Sequence, residues 1–194
     1  MKKIFTALLL GSLSLTQASG IKPIIQISVD AGGDELVTIE HDYSNDVHID
    51  AGDGFGIEAG MALEVAPNVE NQLLIGYKFK EDSAYNGDIT WDSIPLTALG
   101  FFKVQGWKFG GGLTYHISPE LDGRFDSDEI NYEFENALGV VAQIQYEVAN
   151  SFALGIRATF IEYERKSDHT QTASGNSLGI VGTIKFGGER SRFR

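Results

Sequence analysis

Eight segments of the chain alternate between apolar residues and small or polar residues, which is the pattern of β-strands with one apolar face. The segment from Trp107 to Ile117 is the clearest, because its aromatic and aliphatic residues share one face while Lys108, Thr114 and His116 share the other. The predicted strands are Pro23–Asp30, Phe55–Val65, Leu73–Lys80, Ile94–Val104, Trp107–Ile117, Leu138–Val148, Phe152–Phe160 and Leu178–Phe186.

The connections between these strands alternate between short and long. Short turns fall near Pro67, at Gln105-Gly106 and near Asn150, and glycine suits a two-residue hairpin because it readily adopts positive φ. Long polar connections cover residues 40–53, 81–92, 118–135 and 166–175. This asymmetry is typical of membrane barrels, whose short turns face the periplasm. The sequence therefore predicts an all-β fold, an eight-stranded antiparallel transmembrane β-barrel in an up-and-down meander.

The size of the residues on the polar faces indicates which face points inward. A soluble barrel turns its apolar face inward, whereas a membrane barrel turns that face to lipid. The polar faces carry many glycines and alanines with a few long charged side chains, which suits the narrow interior of eight strands. The apolar faces are therefore predicted to contact lipid.

Aromatic residues near the strand ends predict the two membrane boundaries. Trp107 and Tyr115 are separated by about 26 Å along an extended strand, or about 20 Å along the membrane normal if the strand is tilted. That distance is close to the spacing of the two aromatic girdles of a membrane barrel. The predicted girdle residues are Trp107, Tyr115, Tyr146 and Phe186.

Charged residues on the inward faces predict a network in the lumen. If like faces stay together across the short turns, Glu58 lies opposite Lys78, and Lys103 lies opposite Lys108. Two adjacent lysines need neutralisation, so a charge cluster is expected near the periplasmic end. The predicted network comprises Glu58, Glu64, Lys78, Lys103, Lys108, Gln143, Glu147, Arg157 and Lys185. It forms either a plug of paired charges, which eight strands favour, or the lining of a narrow pore.

The composition and the N-terminal residues indicate an exported protein and exclude some classes of partner. Residues 1–20 combine Lys2 and Lys3, an apolar run and small residues at plausible cleavage positions, which predicts a secretory signal peptide. The net charge of −12 becomes about −14 after its removal, so nucleic acid is an unsuitable partner. Cysteine is absent, and no apolar run is long enough for a membrane-spanning helix.

The last predicted strand, Leu178–Phe186, resembles the terminal aromatic signal of the small outer-membrane β-barrel family, the OmpA-type transmembrane domain and its single-domain relatives. The resemblance implies residence in the outer membrane of a Gram-negative bacterium. It also implies assembly by the barrel-assembly machinery, contact with outer-membrane lipids and lipopolysaccharide, and a monomeric state. The resemblance covers Pro23 to Phe186, and the predicted barrel domain spans residues 21–186. Residues 187–194 depart from the pattern and are interpreted as a short basic tail.

Two features could carry chemistry. His116-Ile117-Ser118 resembles the His-x-Ser motif of outer-membrane lipid A deacylases, but the family places its motif near the end of the seventh strand. The family also places its carboxylate at the start of the eighth strand. Here these two regions read Thr159-Phe160-Ile161-Glu162 and Ser177-Leu178-Gly179, with neither the motif nor the acid. His116 and Ser118 therefore remain an alternative catalytic pair, and the preferred hypothesis has no catalytic residues.

The long connections are rich in carboxylates that could hold divalent cations. None matches an EF-hand loop, and His41, His48 and His169 lack ligand spacing, so a solvated acidic surface is the preferred interpretation. The acidic residues are Asp42, Asp46, Asp50, Asp53, Asp122, Asp126, Asp128 and Glu129. No metal and no cofactor are predicted. The sequence therefore predicts a non-enzymatic outer-membrane barrel with acidic loops that serves envelope structure or surface interaction; a lipid A-modifying hydrolase and a narrow pore are the alternatives.

Overall fold

The computed structural model describes residues 20–39, 47–84, 87–125 and 129–187. The signal peptide and the basic tail predicted at the two ends lie outside this part of the chain, apart from Gly20 and Gly187. The strands are β1 (Ile21–Ala31), β2 (Glu35–Ile39), β3 (Val47–Asp50), β4 (Gly54–Ala66), β5 (Val69–Ala84), β6 (Gly87–Val104), β7 (Trp107–Phe125), β8 (Glu129–Glu133), β9 (Ala137–Ala149), β10 (Phe152–Phe160), β11 (Glu162–Arg165), β12 (Asp168–Ser174) and β13 (Ser177–Lys185). No helix long and apolar enough to cross a membrane occurs among the described residues.

Eight of these strands form a closed antiparallel barrel. The ring order is β1, β4, β5, β6, β7, β9, β10 and β13, and β13 pairs with β1 from Ile24–Lys185 to Ala31–Leu178. Closure leaves the ring with no unpaired edge, so its backbone hydrogen bonds are satisfied between strands. The predicted fold class is confirmed. Phe186 continues the β1 pairing by donating its backbone N–H to Pro23 (2.8 Å).

The apolar faces point outward along the whole ring. On β7, Trp107 and Leu113 are 46% and 51% exposed, whereas Lys108 and Thr114 on the other face are buried. The same division holds on β13, where Leu178 and Ile180 are exposed. Outward apolar residues belong against hydrocarbon rather than water, so the predicted orientation of the faces is correct.

The short turns set the register, and one of them corrects a prediction. Lys103 lies opposite Lys108 as expected, across a turn in which Gln105 and Gly106 have φ values of 49° and 84°. The expected pairing of Glu58 with Lys78 is wrong, because Glu58 lies opposite Gly76. The β4–β5 turn has two residues, and a bulge between Glu64 and Ala66 restores the like-face pairing two residues away from the expected register.

The long connections contain more structure than the sequence pattern indicated. Strands β5, β6 and β7 extend well past the predicted ends, and β2–β3 and β11–β12 form hairpins of their own. A bulge on β7, where Ser118 has a φ of 47°, shifts the alternation so that Leu121 points inward although Tyr115 points outward. The prediction that Ser118 begins a loop is therefore wrong, since β7 continues to Phe125. We call these extensions and hairpins the hairpin layer.

Candidate functional site

The lumen near the short turns is organised by Glu70, a residue of β5 that is fully buried. Its carboxylate accepts hydrogen bonds from Lys108 Nζ (2.7 Å), Lys185 Nζ (3.0 Å) and Gln72 Nε2 (2.7 Å). Glu147, which is partly exposed, also pairs with Lys185 (2.9 Å) and Lys108 (3.2 Å). Two lysines and two carboxylates thus form a compact neutral cluster at this end of the barrel.

A chain of amides carries the hydrogen bonding upward from this cluster. Gln72 accepts a bond from Gln26 Nε2 (2.8 Å), and Gln26 in turn accepts one from the guanidinium of Arg157. Both glutamines are buried. Since a buried amide without partners is costly, these bonds hold the interior of the barrel in one arrangement.

Arg157 occupies the centre of the lumen and contacts three other strands. Its Nε donates to Gln143 (2.7 Å) and its Nη1 donates to Glu58 (2.6 Å), in addition to the bond to Gln26. Glu58 also accepts a bond from Thr97 Oγ1 (2.8 Å). Gly76 makes room for this pair, because a Cβ at that position would lie 2.6 Å from the side chain of Glu58.

A fourth cation lies closer to the hairpin layer. Lys78 Nζ donates to the backbone oxygen of Gly52 (2.6 Å) and pairs with Asp30 (3.5 Å), which also accepts a bond from Ser28. Taken together, four carboxylates pair with four cations on the inner side of the barrel. The carboxylates are Asp30, Glu58, Glu70 and Glu147, and the cations are Lys78, Lys108, Arg157 and Lys185. We call these eight residues, with Gln26, Gln72, Gln143 and Thr97, the lumen network. Its charge is balanced within the described residues.

The lumen network leaves little space. A cavity of about 20 Å³ lies between Asp30, Glu58, Lys78, His116 and Arg157, which is room for about one water molecule. The side chains around it are buried. The arrangement is a plug of paired charges rather than an open bore.

We expect the purified protein to show no stable conductance steps in a planar lipid bilayer. Ions would have to displace paired, buried side chains along the barrel, and the cavity between those side chains holds about one water. Single-channel recording at high protein-to-lipid ratio measures this directly, with a known porin as the positive control. Reproducible unitary currents that depend on Arg157 would contradict a closed lumen.

Two of the predicted network residues lie at the rim instead. Glu64 and Lys103 pair at 3.0 Å, and Lys22 lies 3.4 Å from the same carboxylate oxygen. All three side chains are partly exposed, so this pair sits at the mouth of the short-turn end. Glu64 and Glu70 are nevertheless direct cross-strand partners, one exposed and one buried.

An apolar cluster closes the other end of the lumen, and the sequence pattern did not reveal it. Trp91 lies at its centre, with ring centroids 5.3 Å from both Phe134 and Tyr163. Ile49 of the β2–β3 hairpin is fully buried in the same cluster. We call this cluster the apolar cap; its buried members are Ile49, Ala51, Ile89, Trp91, Leu121, Phe134, Ala137, Ile161 and Tyr163.

His116 connects the apolar cap to the lumen. Its Nδ1 lies 2.8 Å from Tyr163 Oη and 3.2 Å from Ser93 Oγ, and the side chain is buried. Ser118, by contrast, is exposed, and its backbone N–H donates to Asn136 Oδ1 (2.9 Å). The structure therefore joins His116 to Tyr163 and Ser93, and it does not bring the two residues of the alternative catalytic pair into a hydrogen bond.

The four predicted girdle residues all lie on the outer surface, with exposures from 39% to 46%. Trp107 packs against Tyr146 (5.0 Å between ring centroids) near the short turns. At the opposite boundary, Tyr77 Oη donates to Asp92 (2.9 Å) beside the stacked ring of Phe79. This second group was missed, although Tyr77 and Phe79 lie in a predicted strand and share its apolar face.

Above that boundary the outward residues become polar and the hairpins are linked to one another. The backbone N–H groups of Glu135 and Lys166 donate to the backbone oxygens of Glu164 (2.8 Å) and Glu133 (3.0 Å). Lys166 Nζ also pairs with the carboxylate of Glu133 (2.9 Å). The Glu133 carboxylate raises the pKa of Lys166 through that bond. The guanidinium of Arg165 lies 3.7 Å above the Tyr132 ring. The hairpin layer is thus tied together by specific contacts.

Only some residues of the predicted acidic surface belong to the part of the chain that the structure describes. Asp42, Asp46, Asp126 and Asp128 lie outside the described residues, as does His41. No group of three or more His, Asp or Glu side chains that could hold a metal ion occurs in residues 20–39, 47–84, 87–125 and 129–187. His169 instead pairs with Glu164 (2.6 Å).

Gln26, Asp30, Glu70 and Gln72 belong to the lumen network but were not predicted as site residues. Glu70 and Gln72 precede the predicted start of the third strand at Leu73, although they continue its inward alternation through Leu74 to Lys78. Extending that alternation towards the turn would have found them. Gln143 does lie opposite Arg157, as predicted.

No family model and no curated protein sequence matches the chain. Solved structures do match it. Neisserial surface protein A (NspA) is 14% identical, with a TM-score of 0.50 over 87% of this chain and 98% of that chain. Ail, the attachment invasion locus protein of Yersinia pestis, is 10% identical, with a TM-score of 0.51 over 87% and 100%. Outer membrane protein H (OprH) of P. aeruginosa is 13% identical, with a TM-score of 0.54 over 85% and 99%. The chain therefore has the fold of the small outer-membrane barrels.

Proposed function

We propose that this protein is a non-enzymatic outer-membrane protein of a Gram-negative bacterium, in which a closed barrel anchors the hairpin layer at the cell surface. The observation that carries the proposal is the filled lumen, plugged by the lumen network and covered by the apolar cap. A barrel without a bore has its remaining polar surface in the hairpins and rims. The role is therefore in envelope structure or in contact with other molecules at the surface.

The likeness of fold supports the location. NspA is named as a surface protein and Ail as an attachment and invasion locus protein, which places comparable barrels in surface roles. Ail has also been crystallised with sucrose octasulfate, a heparin analogue. The present chain has a net charge of −12, which disfavours binding of a polyanion, so we propose no polyanionic ligand for it. A cationic or uncharged partner suits its charge better.

We expect the full chain, expressed in a Gram-negative host, to fractionate with the outer membrane and to migrate faster on an SDS gel before boiling than after. A closed hydrogen-bonded ring resists SDS and stays compact until heated, because it has no edge at which unzipping begins. Membrane fractionation followed by paired boiled and unboiled lanes measures both properties. Recovery of the protein from the soluble periplasm, with a single mobility, would contradict the proposal.

The hydrolase alternative has no specific geometric support. His116 is enclosed by Tyr163, Ser93 and the apolar cap, and Ser118 lies on the exposed side of a bulge. A nucleophile and its base need a hydrogen bond to each other and access to substrate. Unchanged lipid A mass spectra in cells with and without the protein are therefore the expected result.

A further inference from the structure

A groove interrupts the outer wall of the barrel where the membrane-facing ring gives way to the hairpin layer. The β9–β10 ladder ends at the Phe160–Val140 pair, and the chain then leaves β10 to pair with β12 as β11. Leu138 lies beyond the end of that ladder, where β9 and β11 are neighbours but form no ladder pairs with each other. The gap has a volume of about 260 Å³ and is lined by Leu138, Phe160, Ile161, Glu162, Ser174 and Asn176.

The floor of the groove belongs to the apolar surface of the barrel. Leu138 is 65% exposed and Phe160 is 55% exposed, and both continue the outward faces of their strands. Leu138 also pairs across the ladder with Tyr115, a predicted girdle residue. The groove therefore opens at the level where acyl chains meet headgroups, given the membrane location proposed above.

The upper edge of the groove is polar but lacks cations. Glu162 points outward and makes no hydrogen bond or ion pair with any side chain of the described residues, whereas the next outward acid, Glu164, pairs with His169. Asn176 uses its Oδ1 to accept the Ile161 N–H (3.0 Å), which leaves its amide N–H groups as donors. None of the six lining residues is a lysine or arginine, so a phosphate group has no partner there.

We propose that this groove binds an amphiphile with a sugar headgroup, its acyl chain lying on Leu138 and Phe160. Sugar hydroxyls donate to the carboxylate of Glu162 and accept from the amide of Asn176, which matches the acceptor and donors available. The proposal rests on the proposed function, because it needs the ring to lie in a membrane. It adds a specific lipid class to that function.

The test uses the full-length protein folded in phosphocholine micelles and titrated with a monosaccharide that carries one acyl chain. We expect saturable shifts of the Leu138 methyl signals, with an affinity about tenfold higher than for a phosphoglycerol amphiphile of the same chain length. Glu162→Gln should weaken binding about tenfold, the loss expected for one hydrogen bond to a charged group. Glu164→Gln, two residues along the same strand, is the matched control and should bind as the parent does.

Equal affinity for the two amphiphiles, or equal effects of Glu162→Gln and Glu164→Gln, would overturn the groove proposal. Shifts that grow without saturating would also overturn it, because they indicate partitioning of the chain alone. Heat-dependent gel mobility of both variants verifies that they fold. Failure of the proposed function is recognised separately, since it would appear in the fractionation of the parent protein whatever the micelle titration shows.

Discussion

Glu70→Ala should lower the free energy of unfolding by about 3–5 kcal/mol, the cost of removing one partner from a buried ion pair. Glu70 is the common partner of Lys108 and Lys185, at 2.7 and 3.0 Å, and it also orients Gln72. Its loss leaves the two lysines with Glu147, which is partly exposed. Two buried ammonium groups would then share one partly hydrated carboxylate.

Glu64→Ala is the matched control for this experiment. Glu64 lies directly across the β4–β5 ladder from Glu70 and also pairs with two lysines, but its side chain is 38% exposed. Exposed ion pairs contribute about 0–1 kcal/mol, so the control should be nearly as stable as the parent. Urea titration in lipid vesicles, followed by the fraction that keeps the folded gel mobility, compares the two variants. Equal losses would show that burial does not govern these carboxylates.

Arg157→Met should also destabilise the barrel by about 3–5 kcal/mol, but a second substitution should recover much of the loss. The single variant leaves Glu58 buried with Thr97 as its remaining partner, and it removes the donor to the amide oxygens of Gln26 and Gln143. Adding Glu58→Gln removes the uncompensated charge while roughly keeping the volume. Replacement of a whole buried pair by neutral groups is often close to neutral in stability.

The measurement is a double-mutant cycle on Glu58 and Arg157 with the same urea titration. We expect a coupling free energy of about 1–3 kcal/mol, because the two side chains are in contact at 2.6 Å. Arg124→Met, which removes an exposed cation 3.8 Å from Asp122, should change stability by less than about 0.5 kcal/mol. Additive losses for Glu58 and Arg157 would mean that the pair is not a unit.

The eight-stranded ring could be predicted from the sequence because apolar residues alternate with small or polar residues at a period of two in each of its strands. The segment from Trp107 to Ile117 could be assigned to its two faces correctly, and the Gln105-Gly106 turn carried its own signal. Register was harder, because a bulge near Val65 adds a residue without changing the alternation before it. The Glu58–Lys78 pairing failed for that reason, and Glu58 faces Arg157 instead.

The apolar cap could not be predicted because its residues come from segments that look polar. Ile89 and Trp91 alternate with the polar residues Thr90 and Asp92. The segment therefore reads as a polar connection although its apolar residues point inward. On β7 the bulge at Ser118 reverses the alternation, and a period-2 pattern therefore ends there although the strand continues. The buried members of the cap come from β3, β6, β7, β9 and β11 and from the segments between strands, and no single segment shows that these residues meet.

The two tryptophans lie in opposite environments, which gives the chain a separate indicator for each stage of its assembly. Trp107 is on the lipid face beside the first turn of its hairpin, so its surroundings change when that hairpin enters the bilayer. Trp91 is enclosed by residues from segments as far apart in the chain as β3 and β11, so its surroundings are complete only when these segments have come together. Emission from Trp107 therefore reports insertion, and emission from Trp91 reports assembly of the apolar cap.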